Sequence, residues 1–336
     1  MTAGKSQDPA GKAVEYSPSA AKLLRHCEKK YFLRWITNRK QGWRKGEGHI
    51  LRRLFVLGQA KHRSMWAGHL YHQVMSWSLT GLRRRGWPGT QASIALARDL
   101  AAVQFQFSAG GQAATATKSH GPYLQGLSVF YSLFDHAYGL PDDHLLEDTQ
   151  EAVSGWLATT FSWPDWPELQ EMVRRASGIY VEPQNLQYQL CGARVSARMD
   201  LGLEILPRRF VIYDWKCRRD SERFAEHDHA SDEHQLLAYS LWPALRQRAP
   251  LRLEQVEARV FNPTSGEKVV MAFTEADRAD FELEIARWVR LHAEPFPDLS
   301  EFDFEDLSGP YSAERSCPRC EFKAVCREDI AWHELT

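Results

Sequence analysis

Phe210-Val211-Ile212-Tyr213-Asp214-Trp215-Lys216 is a short run, rich in β-branched and aromatic residues, that ends in an acid and a base. Its length and composition predict a buried strand. Side chains alternate along a strand, so Asp214 and Lys216 share a face with Phe210 and Ile212. A carboxylate and an ammonium beside a core are costly to bury unless they pair or hold a metal. Upstream, residues 195–205 are apolar at every odd position, with Ser196, Arg198, Asp200, Gly202 and Glu204 at the even ones. This period of two predicts a second strand. Pro207-Arg208-Arg209 reads as the turn of an antiparallel hairpin, which sets Asp200 near Asp214. Two carboxylates and a lysine at one spot suit a hard divalent cation and a water to be deprotonated. A surface aspartate and a plain Asp–Lys pair at a strand end fit the same spacing.

The chain has 336 residues, with 42 Lys and Arg against 43 Asp and Glu. A net charge near zero says nothing about nucleic acid, but its distribution does. Basic residues crowd the segment from Lys22 to Arg85, among them Lys29, Lys30, Arg34, Arg39, Lys40 and Lys45, opposed only by Glu28 and Glu47. Tyr31, Phe32, Trp35, Trp43 and Trp66 are interleaved. Such a mix fits a groove that tracks phosphates and stacks bases, although a solvated helical face has the same make-up. No apolar run approaches membrane-spanning length, so no membrane association is expected. Residues 1–15 lack the apolar core of a signal peptide and read as a loose tail, which places the chain in the cytoplasm with reduced thiols. In that setting Cys317-x2-Cys320-x5-Cys326 reads as metal or cluster ligation rather than disulfide bonding. Cys191 and Cys217 lie in β stretches and read as buried thiols.

Along the chain, Ser17 and Pro18 are the N-cap and first position of a helix whose apolar side runs through Leu23, Leu24, Cys27, Tyr31, Leu33 and Trp35. A weaker helical pattern covers 50–56, and a firm one covers 64–79 and carries Gly68-x3-His72. Residues 86–178 read as a helical insertion, with a Gly/Ala/Thr-rich break at 108–121. Strands follow at 179–182 and 186–190. A helix over 231–246 places Gln235 and Tyr239 on one face. A hairpin joins 256–261 to 268–273, and Thr274 with Asp277 forms a capping-box signal for the next helix. His227, His229 and His234 sit in an acid-rich run that reads as exposed. The expected division is a tail (1–15), a basic helical part (16–85), the insertion (86–178), the core (179–293), and an acidic linker with the cysteine segment (294–336).

Together these motifs resemble the PD-(D/E)XK nuclease superfamily. The closer likeness is to its RecB-like branch with an iron–sulfur cluster, which includes the AddB nuclease domain and the RecB-like exonucleases of CRISPR adaptation. The matching elements, in family order, are the Ser-x-Ser helix with Cys27, Gly68-x3-His72, Glu182, Asp200, Asp214-x-Lys216, Gln235-x3-Tyr239 and the terminal cysteines. The chain departs from the family at Glu28, where proline usually follows the first cysteine, and at Ala197, often glycine.

The resemblance implies an α/β fold: a mixed sheet flanked by helices, with a helical insertion and a C-terminal iron–sulfur staple. It implies that His72, Asp200, Asp214 and the Trp215 carbonyl bind Mg²⁺ or Mn²⁺. Lys216 would act on the attacking water, Gln235 and Tyr239 would position the site, and Glu182 would support it or a second metal. Cys27, Cys317, Cys320 and Cys326 would hold a [4Fe–4S] cluster. The implied activity is DNA hydrolysis, as an exonuclease on single-stranded or end-containing DNA in repair, recombination or defence. A helicase or another DNA-processing subunit would be the partner, since the chain has no Walker A motif. The competing reading is a non-catalytic nucleic-acid-binding module with structural zinc or an iron–sulfur site.

Overall fold

The 210–216 run is the middle strand of a mixed five-stranded sheet. The computed structural model describes residues 14–39, 49–111, 123–183, 186–205, 208–217, 229–246, 250–293, 308–310 and 313–327, with the backbone alone at 35–39, 49–52, 229–231, 293, 315 and 327. In chain order, the N-terminal elements are β1 (Val14–Tyr16), α1 (Pro18–His26), α2 (Glu28–Arg39), α3 (His49–Gln59), β2 (Ala60–Lys61) and α4 (Arg63–Arg85). Then come α5 (Thr90–Ala109), β3 (Tyr123–Leu124), β4 (Leu127–Ser128), β5 (Ser132–Leu133), α6 (Phe134–Ala137), α7 (Leu145–Ser162) and α8 (Trp166–Arg175). The strand-rich part holds β6 (Gly178–Val181), β7 (Gln187–Leu190), β8 (Ala193–Ser196), β9 (Leu201–Ile205), β10 (Arg209–Trp215), α9 (His229–Leu245), β11 (Val256–Asn262) and β12 (Glu267–Met271). Helices α10 (Glu275–Ala293), α11 (Ala313–Ser316) and α12 (Lys323–Arg327) follow.

The central sheet has the order β12-β11-β10-β9-β6, and a second sheet the order β1-β8-β7. β9 and β10 pair antiparallel, as the expected hairpin. β10 and β11 run parallel, which requires a crossover, and α9 lies in it. Alternation sorts the side chains of β10. Val211, Tyr213 and Trp215 join a core with α4, α5, α7 and α8, while Phe210 and Ile212 join a second core with α9 and α10. Helices α7 and α8, within the expected insertion, therefore roof one face of the sheet.

Any side chain at position 202 in β9 would force its neighbours to shift. A Cβ there would lie 2.5 Å from Met199 Sδ and 2.8 Å from Phe210 Cζ, both of which fill that space. The Thr274–Asp277 capping box forms with reciprocal hydrogen bonds.

Four details depart from the sequence expectation. The 195–205 run is not one strand: it breaks at 197–200, and its two halves belong to different sheets. The odd positions from Val195 to Leu203 stay buried across the break, so the alternation gives no sign of it. The first helix likewise divides at Cys27, whose backbone is extended while its sulfur accepts from Lys30 N–H and caps α2. Helix α4 extends six residues past 79, to Arg85. Cys191 is exposed, because Cys191 and Gly192, both at positive φ, form the tight turn between β7 and β8.

Glu284 on α10 holds the N-terminal segment to the sheet. It accepts from Tyr16 at 2.7 Å and Arg25 at 3.2 Å, and pairs with His234 Nδ1 at 2.7 Å. Burial alone would raise the Glu284 carboxyl, but the close contact of His234, the hydrogen bond from Tyr16 and the charges of His234 and Arg25 bring it down to about 2. The same contact with Glu284 lifts His234 above its ordinary 6.5. The carboxyl therefore contributes fully above its ordinary 4.5 and loses its contribution as pH falls toward 2. His234 contributes fully below 6.5 and loses its contribution as pH rises through its raised value. Glu284→Gln is expected to cost about 1–3 kcal/mol between roughly pH 4.5 and 6.5, and progressively less toward pH 2. Denaturant titration across pH checks this; a pH-independent difference would remove the ionic account.

Candidate active site

The antiparallel register sets three acids in a row. Leu201 lies opposite Tyr213 of β10 and Val181 of β6, so the next step places Asp200 beside Asp214 and Glu182. Glu182 N–H donates to the Asp200 carbonyl at 2.9 Å. The Asp200 carboxylate is held from two layers: Oδ1 lies 3.1 Å from His72 Nδ1 on α4, and Oδ2 accepts from Trp215 N–H at 2.7 Å. On the other side of Asp214, Lys216 Nζ lies 2.7 Å from Asp214 Oδ2 and donates to Gln235 Oε1 at 2.9 Å. Gln235 donates in turn to Tyr239 Oη. Residues of five elements and their ends thus meet at one end of the sheet: His72, Glu182, Asp200, Asp214 with Lys216, and Gln235 with Tyr239.

The electrostatics divide the two aspartates. Burial raises the Asp200 carboxyl, but the charge and hydrogen bond of His72, with the Trp215 amide, hold it below the usual range. Burial also raises Asp214; Lys216 opposes this and Asp200 adds to it, leaving Asp214 at about 6. For His72 burial acts downward, yet Asp200 lifts the imidazole to about 9. Lys216 is likewise lifted, because Asp214 and Asp232 outweigh its burial. Both bases are therefore charged at neutral pH.

Carboxylate oxygens with a neighbouring peptide and one imidazole are a donor set for Mg²⁺ or Mn²⁺. Asp214 Oδ2 is buried and in ionic contact with Lys216, but makes no hydrogen bond. It is the oxygen a cation would satisfy, and in this respect the residues fit the group. As they stand, no three His, Cys, Asp or Glu side chains among the described residues close on one point tightly enough for a single ion. Asp200 is engaged by His72 and Trp215, and Asp214 by Lys216.

A family model for the PD-(D/E)XK nuclease superfamily matches residues 15–327. The chain belongs to that superfamily. It is thereby placed among metal-dependent nucleases, hydrolases of phosphodiester bonds. A search of curated proteins finds no match. Among the described residues, no helix is long and apolar enough to cross a membrane.

Asp232 is absent from the sequence-derived candidates. It is buried in the first turn of α9, with Oδ1 3.9 Å from Lys216 Nζ. Its signal is helical spacing: it lies three residues before Gln235 and seven before Tyr239, on the same stripe.

The four cysteines Cys27, Cys317, Cys320 and Cys326 line one cavity of about 520 Å³ between α2 and the C-terminal segment. Burial pushes Cys27 up and Cys320 up to about 11, so loading a metal there would release protons. Four thiols are the donor set of an iron–sulfur cluster. A tetrahedral zinc would draw its sulfurs to within roughly 4 Å of one another, and the thiols as they stand form no such single-ion group. At the rim, Glu28 N–H donates to the Ser308 carbonyl, a bond that the family's usual proline could not make.

The basic segment differs from the expected groove. Lys30 and Arg34 pair with buried Glu321 at 2.7 and 2.8 Å, Arg25 with Glu284, and Arg63 with Asp148 at 2.6 Å. Trp66 is fully buried and donates to Gln104, and Tyr31 and Phe32 are core residues. These aromatics are not free to stack on bases. Lys40, Trp43, Arg44, Lys45 and His227 lie outside the described residues, as do the side chains of Trp35, Arg39 and His229.

Glu321 also anchors the cysteine segment, whose other contacts include Tyr138 Oη to the Glu321 carbonyl at 2.7 Å, His62 to the Arg319 carbonyl, and Lys323 over the Tyr138 ring at 4.4 Å. Removing one partner of a buried pair leaves the others uncompensated. Glu321→Ala is expected to destabilise by about 1–3 kcal/mol, tempered by the partial exposure of Lys30 and Arg34, and to speed proteolysis of the C-terminal segment. Parent-like melting and proteolysis would show that the contacts of Tyr138 and Lys323 suffice.

Proposed function

We propose that the chain is a Mg²⁺- or Mn²⁺-dependent deoxyribonuclease whose site is built from His72, Asp200, Asp214, the Trp215 carbonyl and Lys216. The observation that carries this reading is the row of acids at the ends of β6, β9 and β10, closed by Lys216. When bound, the ion supplies a Lewis acid for the scissile phosphate and lowers the pKa of a bound water. Asp200 and His72, the imidazole giving up its proton as the ion loads, would hold it from one side and Asp214 from the other. Lys216, kept protonated, would orient the attacking water and stabilise charge building on the phosphate. Gln235 fixes the Lys216 ammonium, and Tyr239 fixes Gln235.

Resemblance to the RecB-like branch supports finer assignments. The activity would be exonucleolytic, on DNA with single-stranded character, beside a helicase or other DNA-processing subunit in the cytoplasm. Residues 16–85 and 179–293 would form the catalytic body and 86–178 a helical insertion. Asp214→Ala and Lys216→Ala are each expected to cut cleavage by about 10²–10³-fold or more with the fold intact. End-labelled single- and double-stranded DNA, linear and circular, assayed with Mg²⁺ or Mn²⁺, checks both points. Parent-like rates would sink the site, and cleavage of closed circles would sink the exonuclease assignment.

Cys27, Cys317, Cys320 and Cys326 would hold a [4Fe–4S] cluster that staples the chain ends. Joining Cys27 to Cys317 closes nearly the whole chain, a constraint of roughly 5–6 kcal/mol at most in the chain-entropy model. Cys27→Ala, purified anaerobically, is expected to lose iron and visible absorbance and to melt at lower temperature. Full iron content and an unchanged melting temperature would remove Cys27 from the ligand set.

A further inference from the structure

We propose that Asp232 is a positioning residue that retains the Lys216 ammonium at the site when Asp214 turns its carboxylate to the metal. The inference rests on the nuclease reading of the site. Lys216 and a cation compete for one group: Nζ sits on Asp214 Oδ2, the buried oxygen that makes no hydrogen bond. The ammonium would be displaced and repelled were a cation held at that oxygen. Gln235 accepts one Nζ proton at 2.9 Å but carries no charge to oppose that repulsion. Asp232 does, from the side of α9, at 3.9 Å. An ammonium has three donors, so Nζ can keep Gln235 and pass from Asp214 to Asp232 by a small rotation. Asp232 is only 6% exposed, so the attraction is little screened by water. Asp232, Gln235 and Tyr239 share one face of α9, so one helix carries the support of Lys216 that does not come from Asp214.

The test measures Mn²⁺ binding by calorimetry, with the metal alone, and kcat and KM on linear DNA. The variants are Asp232→Asn and Asp232→Glu, with Asp232→Asn repeated in a Lys216→Met background. In Asp232→Asn the ammonium stays on Asp214, so Mn²⁺ affinity should fall about tenfold and kcat should fall, with KM within about twofold. Asp232→Glu should recover most of the affinity. In Lys216→Met the ammonium is gone, and Asp232→Asn should change Mn²⁺ affinity by less than about twofold. Equal losses in both backgrounds would mean that Asp232 acts on the metal or the fold directly, and no loss in either that it does nothing here; each overturns the proposal. If Asp232→Asn does not fold, Asp232→Ser takes its place in the same comparison. Should Asp214→Ala keep both Mn²⁺ binding and cleavage, the nuclease site itself is wrong. Should it lose both while Asp232→Asn matches the parent, only the role of Asp232 falls.

Discussion

The Asp200 carboxylate ties the helical layer to the sheet. One oxygen meets His72 on α4 and the other the amide of Trp215 at the end of β10. A desolvated carboxylate is strongly unfavourable without such partners, so its two contacts fix how α4 lies across the strand ends. Its place in the chain follows from the same demand. The 195–205 segment leaves one sheet at Ser196 and enters the other at Leu201, and Asp200 stands at the join, where the chain comes free of one ladder and starts another.

Charge serves the chain ends as well. Several described basic residues of the segment that reads as a phosphate groove are engaged with acids far along the sequence: Lys30 and Arg34 with Glu321, and Arg25 with Glu284. These contacts bring the first helices to the last segment and set Cys27 against Cys317, Cys320 and Cys326 around one cavity. The closure of the chain thus has an ionic component beside any cluster, which is why Glu321 and Cys27 can be tested separately.

The sequence revealed what is local and periodic. The β-branched run at 210–216, the Thr274–Asp277 cap and the hairpin through Gly266 each follow from a few neighbouring residues. It hid what long-range pairing decides. Alternation continues unbroken across Ala197 to Asp200, so the passage between sheets leaves no trace in the pattern. The division of the first helix depends on Cys27 capping α2 and on Glu28 meeting Ser308, some 280 residues away. Lys30 and Arg34 were legible as charges, but their partner Glu321 was not. Asp232 was within reach, since it shares the helical stripe of Gln235 and Tyr239, but its relevance appears only once Lys216 is placed beside it.

The balance of charge in the site gives the donor geometry a direction. Among the described residues, Glu182, Asp200, Asp214 and Asp232 face Lys216 and His72 as charged bases, and full ionisation of these six groups leaves two negative charges in a mostly buried space. Asp214 and Glu182 show the consequence: burial and the nearby acids push both carboxyls up, against the pull of Lys216 and His72. Asp200, with the imidazole and an amide to itself, is held down. The acids that remain short of positive charge are those on either side of Asp200. A divalent cation between Asp200 and Asp214 would supply the missing charge and let both aspartates ionise together, while the ammonium moves toward the remaining acid on α9. Metal binding and the placement of Lys216 are then one electrostatic event, set by which carboxylate each cation occupies.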